Sequence, residues 1–259
     1  MSHSETKQKG YPLVSVLMTA FNREEFIAEA MESVLNSSYS NFELIIVDDA
    51  SSDKTFKIAT QIAGDDSRVK VFRNEVNLGD YPNRNRAASY ACGKWLFFVD
   101  SDDTIFPDGI KKCIDLMSEY PNSSLGMRVF NNAPKPYSLS PDTIFREHFF
   151  HHPILTIGPG GTIISRDFFN TINCYPVKYG PANDMYFNLK AATKTEVVFI
   201  PFEFQFYRRH DGQEINNSFS YLFNSYLYLK DALKDLSIPL TSKELDWISK
   251  KNKRRFVTN

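Results

Sequence analysis

The chain has 259 residues, of which 42% are hydrophobic, and it carries 30 basic against 31 acidic side chains. This length and apolar content can fill a large core, so disorder throughout the chain is excluded. A net charge of −1 provides no global field toward nucleic acid, and an anionic ligand must be held by local groups. The three cysteines include no Cys-x-x-Cys pair that would indicate a zinc or dithiol redox centre.

No stretch of the sequence approaches the roughly 20 apolar residues of a membrane span, and residues 1–10 lack the apolar core of a signal peptide. We therefore expect a cytoplasmic protein. The predicted organisation is a disordered tail at 1–10, a folded domain at 11–215, and a helical extension with a basic tail at 216–259.

The first half of the chain alternates short apolar runs with segments of helical period, which is the pattern of βα units around a parallel sheet. We predict four helices in this half. The first begins at about residue 24, the second follows the capping residues 51–53, the third spans about residues 83–91, and the fourth follows Pro107. The strands are predicted at Leu13–Met18, Phe42–Val47, Val69–Phe72 and Trp95–Val99.

The regular alternation stops after Pro121, and residues 122–179 are predicted to form loops that shape a binding site. Strands are expected at 162–165, 197–200 and 202–207, the last with its phenylalanines buried and Gln205 facing water. An aromatic-rich helix is predicted at about 221–236. Five basic residues follow it: Lys250, Lys251, Lys253, Arg254 and Arg255. Such a run indicates either contact with an anionic membrane surface or, more commonly, a solvated helix end.

Polar residues follow the carboxyl ends of the predicted strands, where open parallel sheets bind ligands. In chain order they are Thr19 and Asn22, then Asp48 and Asp49, then Asn77 and Arg84, then Asp100, Asp102 and Asp103. Five carboxylates on one edge repel one another unless a cation or a donor-rich ligand lies among them. The Asp100-Ser101-Asp102 spacing suits a hard divalent cation, because alternate residues of an extended chain direct their oxygens to one side. A capping turn before the next helix is the alternative.

No Gly-x-Gly-x-x-Gly or Walker loop follows the first strand, where Ala20-Phe21-Asn22-Arg23 stands instead. A diphosphate would therefore have to be neutralised by a metal ion and by side chains such as Arg84.

Taken in order, these motifs resemble the family 2 glycosyltransferases with the GT-A fold, over about residues 12–211. The matching segments are 14–22, in which Met18 stands where proline is usual, then 43–53, 77–79 with 83–85, 95–103, 183–184 and 207–210. The resemblance implies an α/β fold with a single mixed, mainly parallel sheet flanked by helices. It also implies a Rossmann-like nucleotide-binding half at 11–121 and an acceptor-binding half at 122–215.

The resemblance further implies a role for each matched residue. Asp184 would be the general base, already ionised at its ordinary pKa of about 3.9, and Asp102 with His210 would hold Mn²⁺ or Mg²⁺. The implied nucleotide-sugar contacts are Thr19, Phe21, Asn22, Asp49, Asn77, Arg84, Asp100 and Ser101. The implied activity is inverting transfer from a nucleotide sugar, with a UDP-sugar favoured, to a glycan or lipid-linked acceptor in bacterial surface polysaccharide or glycan synthesis, without a nucleic-acid partner. Localisation is expected to be cytoplasmic or peripheral at the inner face of the plasma membrane.

Two alternatives stay open at this point. Residues 95–104 also fit the apolar strand and Asp-x-Asp-x-Thr of haloacid dehalogenase-like phosphatases, in which Asp100 would be a nucleophile. Three βα units precede that strand, however, whereas in the phosphatases it is normally the first. An inactive module that binds a nucleotide sugar is the second alternative, and the titratable side chain of Asp184 argues against it.

Overall fold

The computed structural model describes residues 10–129, 133–210 and 218–258. The tail predicted at 1–10 and the domain boundary predicted at 215 therefore lie, but for Gly10, outside the described residues. The strands of the described chain are β1 (Val14–Ala20), β2 (Phe42–Asp48), β3 (Val69–Arg73), β4 (Trp95–Asp100), β5 (Thr104–Ile105), β6 (Ser123–Arg128), β7 (Tyr137–Leu139), β8 (Thr162–Ser165), β9 (Glu196–Ile200) and β10 (Gln205–Phe206).

The helices alternate with strands in the first half and dominate the end of the chain. They are α1 (Ile27–Leu35), α2 (Thr55–Ala63), α3 (Asp80–Ser89), α4 (Gly109–Glu119), α5 (Pro141–Arg146), α6 (Arg166–Thr171), α7 (Asn183–Ala192), α8 (Ser218–Asp235) and α9 (Ser242–Thr258). One π-helical turn, Glu147–His151, continues α5, and 3-10 turns lie at Pro159–Gly161 and Gly180–Ala182. None of the helices in the described ranges is long and apolar enough to cross a membrane.

Eight strands form one mixed sheet in the order β3-β2-β1-β4-β8-β6-β9-β7. The first four are parallel, β8 runs antiparallel to both β4 and β6, and β6 pairs in parallel with β9. This is the predicted α/β class with one mainly parallel sheet. The strands β5 and β10 form a separate antiparallel ribbon.

The strands β1, β2 and β4 are almost continuously apolar because helices cover both faces of the sheet. Successive residues point to opposite faces, so Val16 belongs to one hydrophobic core and Leu17 to the other. The register places Thr19 beside Val47 on one side and beside Asp100 on the other. The carboxyl ends of three strands therefore meet at one edge, where the acidic residues collect.

The structure corrects several of the predicted elements. The strand predicted at 202–207 shortens to β10. Phe204 just before it is buried as expected, but within β10 the expected burial is reversed, since Gln205 is 4% exposed whereas Phe206 is 53% exposed. The side chain of Gln205 is buried because its Nε2 donates to the carbonyl of Phe98 at 2.6 Å. The strand β6 and the helix α6 lie in the region expected to form loops, and the basic residues of the expected tail belong to α9.

The first residues of two predicted helices differ from those in the structure, although both helices are present. The helix α1 begins at Ile27, three residues after the predicted start, because residues 23 and 24 bond instead to the loop after β2. Conversely, α3 begins at Asp80, three residues early, behind the left-handed Gly79 with φ +88°.

Candidate active site

Three aspartates cluster where β4 ends. One carboxylate oxygen from each of Asp100, Asp102 and Asp103 lies within 4.8 Å of the others, and Ser101 between them is buried. The chain reverses immediately after the strand, where the amide of Asp103 donates to the carbonyl of Asp100 at 2.9 Å. Repulsion within such a cluster has to be relieved by cationic or donor groups around it.

Asp102 receives two partners on the same oxygen. Its Oδ2 lies 3.0 Å from Nε of Arg23 and 2.9 Å from Nε2 of His210. The imidazole of His210 stacks on Phe26 of the loop before α1, with ring centroids 4.7 Å apart. The structure thus brings together the two residues expected at the metal. It adds Arg23, which was not predicted, although its position directly after Asn22 in the β1 loop was a signal.

Arg84 is a buried cation that neutralises Asp100. Its Nη2 lies 2.6 Å from Oδ1 of Asp100, and its Nε donates to Oδ1 of Asp80 at 2.7 Å. The third nitrogen, Nη1, is buried without a hydrogen-bond partner in the described part of the chain. Because buried polar groups are nearly always satisfied, an orphaned guanidinium donor beside carboxylates fits a site completed by an anionic ligand.

Asp49 organises the loop that precedes α3. Its carboxylate accepts hydrogen bonds from the amides of Leu78 and Gly79, each at 2.9 Å, and from Nδ2 of Asn74 at 2.6 Å. Asn77 adds a bond within this loop, since its Oδ1 accepts from the amide of Gly79 at 3.0 Å. The two side chains therefore shape the rim of the site, and their contact with a nucleotide stays a prediction.

The loop after β1 is tied to the loop after β2 through Asn22. This residue has φ +51°, its amide donates to Oγ of Ser51, and its Oδ1 accepts from the amide of Ser52, both at 2.9 Å. The preceding Phe21 is 44% exposed, which leaves its ring face open to a planar ligand. Thr19 lies at the strand end, beside Asp100 in the register.

Asp103 is the most buried member of the acidic cluster. Its Oδ1 accepts from the amide of Arg208 at 2.9 Å, which fixes residues 207–210 over the strand end. Burial, reinforced by the charge of Asp100, raises the pKa of Asp103 to about 7. The carboxyl group of Asp103 can therefore exchange a proton near neutral pH.

Asp184 lies in the first turn of α7, as predicted, and is 6% exposed. Its Oδ1 accepts from the amide of Met185 at 2.8 Å. Burial raises the pKa of Asp184 to about 7, although the Met185 amide, the Tyr81 side chain and the charge of Arg84 oppose the rise. The expectation of an ordinary pKa was therefore wrong, because the sequence does not show desolvation. A methyl group at Gly158 would lie 3.6 Å from the Oδ2 of Asp184.

The helix α3 joins the two carboxylate groups of the site. Tyr81 and Arg84 are three residues apart on one helical face, and the Arg84 guanidinium lies 5.9 Å from the Tyr81 ring centroid. Arg84 reaches Asp100, and the Tyr81 side chain lowers the pKa of Asp184. Tyr81 was missed from the sequence, where its spacing from Arg84 was the available signal.

The histidines of the middle region take different positions. His148 is largely buried, and its Nδ1 accepts from the amide of Leu155 at 3.1 Å. Burial lowers the pKa of His148 to about 4, so it serves as a neutral packing residue. His151 and His152 are exposed.

Solved structures share this architecture. The chain matches a crystal structure of residues 1–349 of TarS from S. aureus in complex with UDP-GlcNAc, with a TM-score of 0.74 at 20% identity, covering 95% of this chain and 72% of that one. It also matches the mannosyltransferase PcManGT from Pyrobaculum calidifontis in complex with GDP-Man and Mn²⁺, with a TM-score of 0.73 at 14% identity, covering 96% and 75%. These likenesses establish the GT-A fold.

The family follows from the sequence match. The model of glycosyl transferase family 2 covers residues 15–211, and the chain belongs to that family. Curated relatives include WfgD of Escherichia coli, a UDP-Glc:alpha-D-GlcNAc-diphosphoundecaprenol beta-1,3-glucosyltransferase, which is 40% identical over 106 residues, 40% of this chain and 41% of the relative. The putative teichuronic acid biosynthesis glycosyltransferase TuaG of Bacillus subtilis is 39% identical over 108 residues, 42% of this chain and 43% of the relative. The chain thus spans less than half the length of either relative.

The phosphatase alternative does not survive these findings. The strand that ends in Asp100 is the fourth along the chain and the fourth in the sheet, and the carboxylate expected to act as a nucleophile is engaged by Arg84. Family membership points to glycosyl transfer instead.

Proposed function

We propose that this chain transfers a sugar from a nucleoside-diphosphate sugar to an acceptor hydroxyl with inversion at the anomeric carbon. The observation that carries the proposal is the pair of carboxylate sites joined by α3. Asp100 is neutralised by Arg84 of α3 at the end of the parallel strands. Asp184 is buried in the first turn of α7. A donor site and a base on separate elements suit an attack from the face opposite the leaving group.

The donor binds at the strand ends in this proposal. Phe21 offers an exposed ring to the base, Thr19 and Asp100 edge the ribose, and the orphaned Nη1 of Arg84 meets a phosphate oxygen. Asp49, Asn22 and Asn77 hold the loops that frame this pocket. The TarS structure is a complex with UDP-GlcNAc, and WfgD is named as a UDP-Glc transferase, which supports a UDP-sugar as the donor.

A divalent cation fits the acidic cluster. Asp102 and His210 would hold it with Asp100 nearby, since oxygen ligands with an imidazole suit Mn²⁺ or Mg²⁺. When bound, such an ion supplies Lewis acidity toward the charge that develops on the departing diphosphate. Arg23 occupies the same oxygen of Asp102 and would have to release it.

Asp184 acts as the general base. A carboxylate whose pKa is near the working pH accepts a proton efficiently. Burial raises the pKa of Asp184 to about 7. The amide of Met185 fixes the carboxylate, so that it takes the proton from the acceptor hydroxyl. An inactive binding module would have no use for a buried titrating carboxylate beside its ligand.

The acceptor is a glycan or a lipid-linked sugar in bacterial surface polysaccharide synthesis. The support comes from two relatives: the full name of WfgD includes a GlcNAc-diphosphoundecaprenol, and that of TuaG includes teichuronic acid biosynthesis. With such an acceptor, the enzyme works at the inner face of the plasma membrane.

The test is a thermal-shift panel with UDP, GDP, CDP and dTDP, each with and without Mn²⁺ or Mg²⁺. We expect UDP with metal to raise Tm by about 5 °C or more at 100 times Kd, because ligand binding to the folded state stabilises it. Donor hydrolysis or transfer by the same sample separates an enzyme from a binding module. The proposal fails if no nucleoside diphosphate shifts Tm with either metal.

A further inference from the structure

The last helix, α9, carries a concentration of positive charge that the proposed donor site does not use. Within Ser242–Thr258 there are two acidic side chains, Glu244 and Asp246, against six basic ones, which are Lys243, Lys250, Lys251, Lys253, Arg254 and Arg255. The whole chain has a net charge of −1, so the rest of the chain is net acidic. The molecule is therefore electrically polarised toward this helix.

One face of α9 packs against α8. Ile248 is 3% exposed, Nδ2 of Asn252 donates to the carbonyl of Tyr226 at 3.0 Å, and Phe256 stacks on Tyr226 with ring centroids 4.5 Å apart. These three α9 residues are spaced four apart and so lie along a single side of the helix. The opposite side is left to solvent.

The solvent side of α9 combines aromatic and aliphatic surface with basic groups. Trp247 is 48% exposed and Val257 is 72% exposed, whereas Lys250, Lys251 and Arg254 between them are all exposed. The ammonium of Lys251 lies 4.8 Å from the Trp247 ring centroid, and Lys250 reaches Asp246 at 2.6 Å. We call this surface, together with the neighbouring Phe150, the basic aromatic face.

The basic aromatic face extends onto a second element. Phe150, from the π-helical turn after α5, is 38% exposed, and its ring centroid lies 5.3 Å from that of Trp247. An ion pair between Arg146 and Glu244 fastens α5 to the start of α9. Two aromatic rings from different elements thus form one exposed patch beside the lysines.

We propose that the basic aromatic face docks on a bilayer that contains anionic lipids. Aromatic side chains at the level of the lipid headgroups, ringed by lysine and arginine, are the composition of helices that lie in a membrane interface. Each basic residue near an anionic surface adds attraction, which falls off within a Debye length. A second copy of the chain is disfavoured as the occupant, because a twofold contact would place this basic face against itself.

The docking face is rigidly connected to the acceptor side of the proposed active site. The helix α8, which carries α9, is fastened to the segment before Asp184: Asp231 receives Nζ of Lys178 at 2.5 Å and the hydroxyl of Tyr179 at 3.1 Å. The helix α8 would thus link a docked α9 to the segment that leads into Asp184, where a lipid-linked acceptor would be used. This last step rests on the proposed transferase function, whereas the docking itself does not.

Tryptophan fluorescence gives a direct readout, because the chain has two tryptophans and Trp95 is 7% exposed in the core. Vesicles of phosphatidylcholine with and without phosphatidylglycerol are added to the full chain. We expect anionic vesicles to shift the Trp247 emission to the blue and to co-sediment the protein. Neutral vesicles should do neither, and raising the salt to about 0.5 M should reverse both effects.

The variant Lys250→Ser/Lys251→Ser/Arg254→Ser should lower partitioning into anionic vesicles on the order of 100-fold, at roughly fivefold for each charge removed. The matched control is Lys54→Ser/Lys57→Ser/Lys112→Ser, which removes the same charge from exposed positions on other faces and should partition like wild type. Circular dichroism of both variants checks that they are folded.

Three results would overturn the docking proposal. They are absence of binding to anionic vesicles, equal partitioning of the two triple variants, and a concentration-dependent blue shift without vesicles, which would show self-association instead. UDP and Mn²⁺ titrations on the same samples keep the proposals separate. Vesicle binding without nucleotide binding would refute the transferase proposal alone, and the reverse would refute the docking alone.

Discussion

The donor side and the acceptor side of the proposed site hold their carboxylates in opposite ways. Asp100 and Asp102 each have an arginine within 3.0 Å, and Asp102 also has an imidazole. Asp184 has no ion pair in the described part of the chain; it is buried, and the amide of Met185 donates to its carboxylate. Cationic partners thus hold Asp100 and Asp102 on the donor side, whereas desolvation prepares Asp184 to exchange a proton.

The substitution Asp184→Asn tests this contrast and should have the largest effect, a loss of turnover. We expect transfer to fall by about 10²–10⁴-fold, because the amide cannot accept a proton, while metal-dependent donor binding stays nearly intact. The matched control is Asp167→Asn, since Asp167 is also a first-turn aspartate, on α6, but is exposed. Transfer above about a tenth of wild type in the folded Asp184 variant would remove Asp184 from the base role.

The same substitution tests the raised pKa through stability. The pKa of Asp184 is about 7 in the folded chain against 3.8 ordinarily, so the folded state binds the proton more tightly. This contribution to stability is fully present below pH 4 and is lost as the pH rises through 7. At pH 8, Asp184→Asn should therefore raise the free energy of unfolding, by up to about 4 kcal/mol less the helix-dipole term of about 0.3–1 kcal/mol. Urea unfolding at pH 5 and 8 measures it, and an equal effect at both values would contradict the assignment.

On the donor side, Asp102→Asn should weaken metal-dependent UDP binding by at least about 100-fold. The amide keeps the shape but removes the charge that faces the cation, and even partners of metal ligands cost about 10–100-fold when altered. Isothermal titration with and without Mn²⁺ measures the change. Asp108→Asn, at an exposed residue paired with Lys112, serves as the control. Unchanged affinity with the metal still required would place the cation elsewhere.

A smaller effect concerns Arg23, which shares Asp102 Oδ2 with the proposed cation site. We expect Arg23→Met to tighten Mn²⁺ binding in the absence of nucleotide by about fivefold, since a partly exposed ion pair is worth up to about 1 kcal/mol. Arg68→Met removes an exposed pair with Asp66 and should leave Mn²⁺ binding unchanged. Mn²⁺ titration followed by electron paramagnetic resonance decides, and weaker binding in Arg23→Met would show that Arg23 supports the cation instead.

Much of the fold could be predicted from the sequence. The four strands β1 to β4 and the helices between them follow from apolar periodicity, which depends on neighbours within about four residues. The gathering of Asp100, Asp102 and Asp103 beyond β4 follows from the strand end itself. Of the short strands after Pro121, β8 and β9 were expected from their apolar runs. The strand β6 was not predictable in this way, because it is held by partners far along the chain.

By itself, then, the sequence determined the parallel sheet, the acidic strand ends and the first-turn position of Asp184, since each depends on local spacing. Tertiary structure decided which charges meet: Arg23 reaches Asp102 across 79 residues and His210 reaches it across 108. It also decided the burial that raises the pKa of Asp184 and the side of α9 that faces solvent. The physical reason is that pairing over long separations and desolvation are properties of the packed chain, which no local pattern encodes.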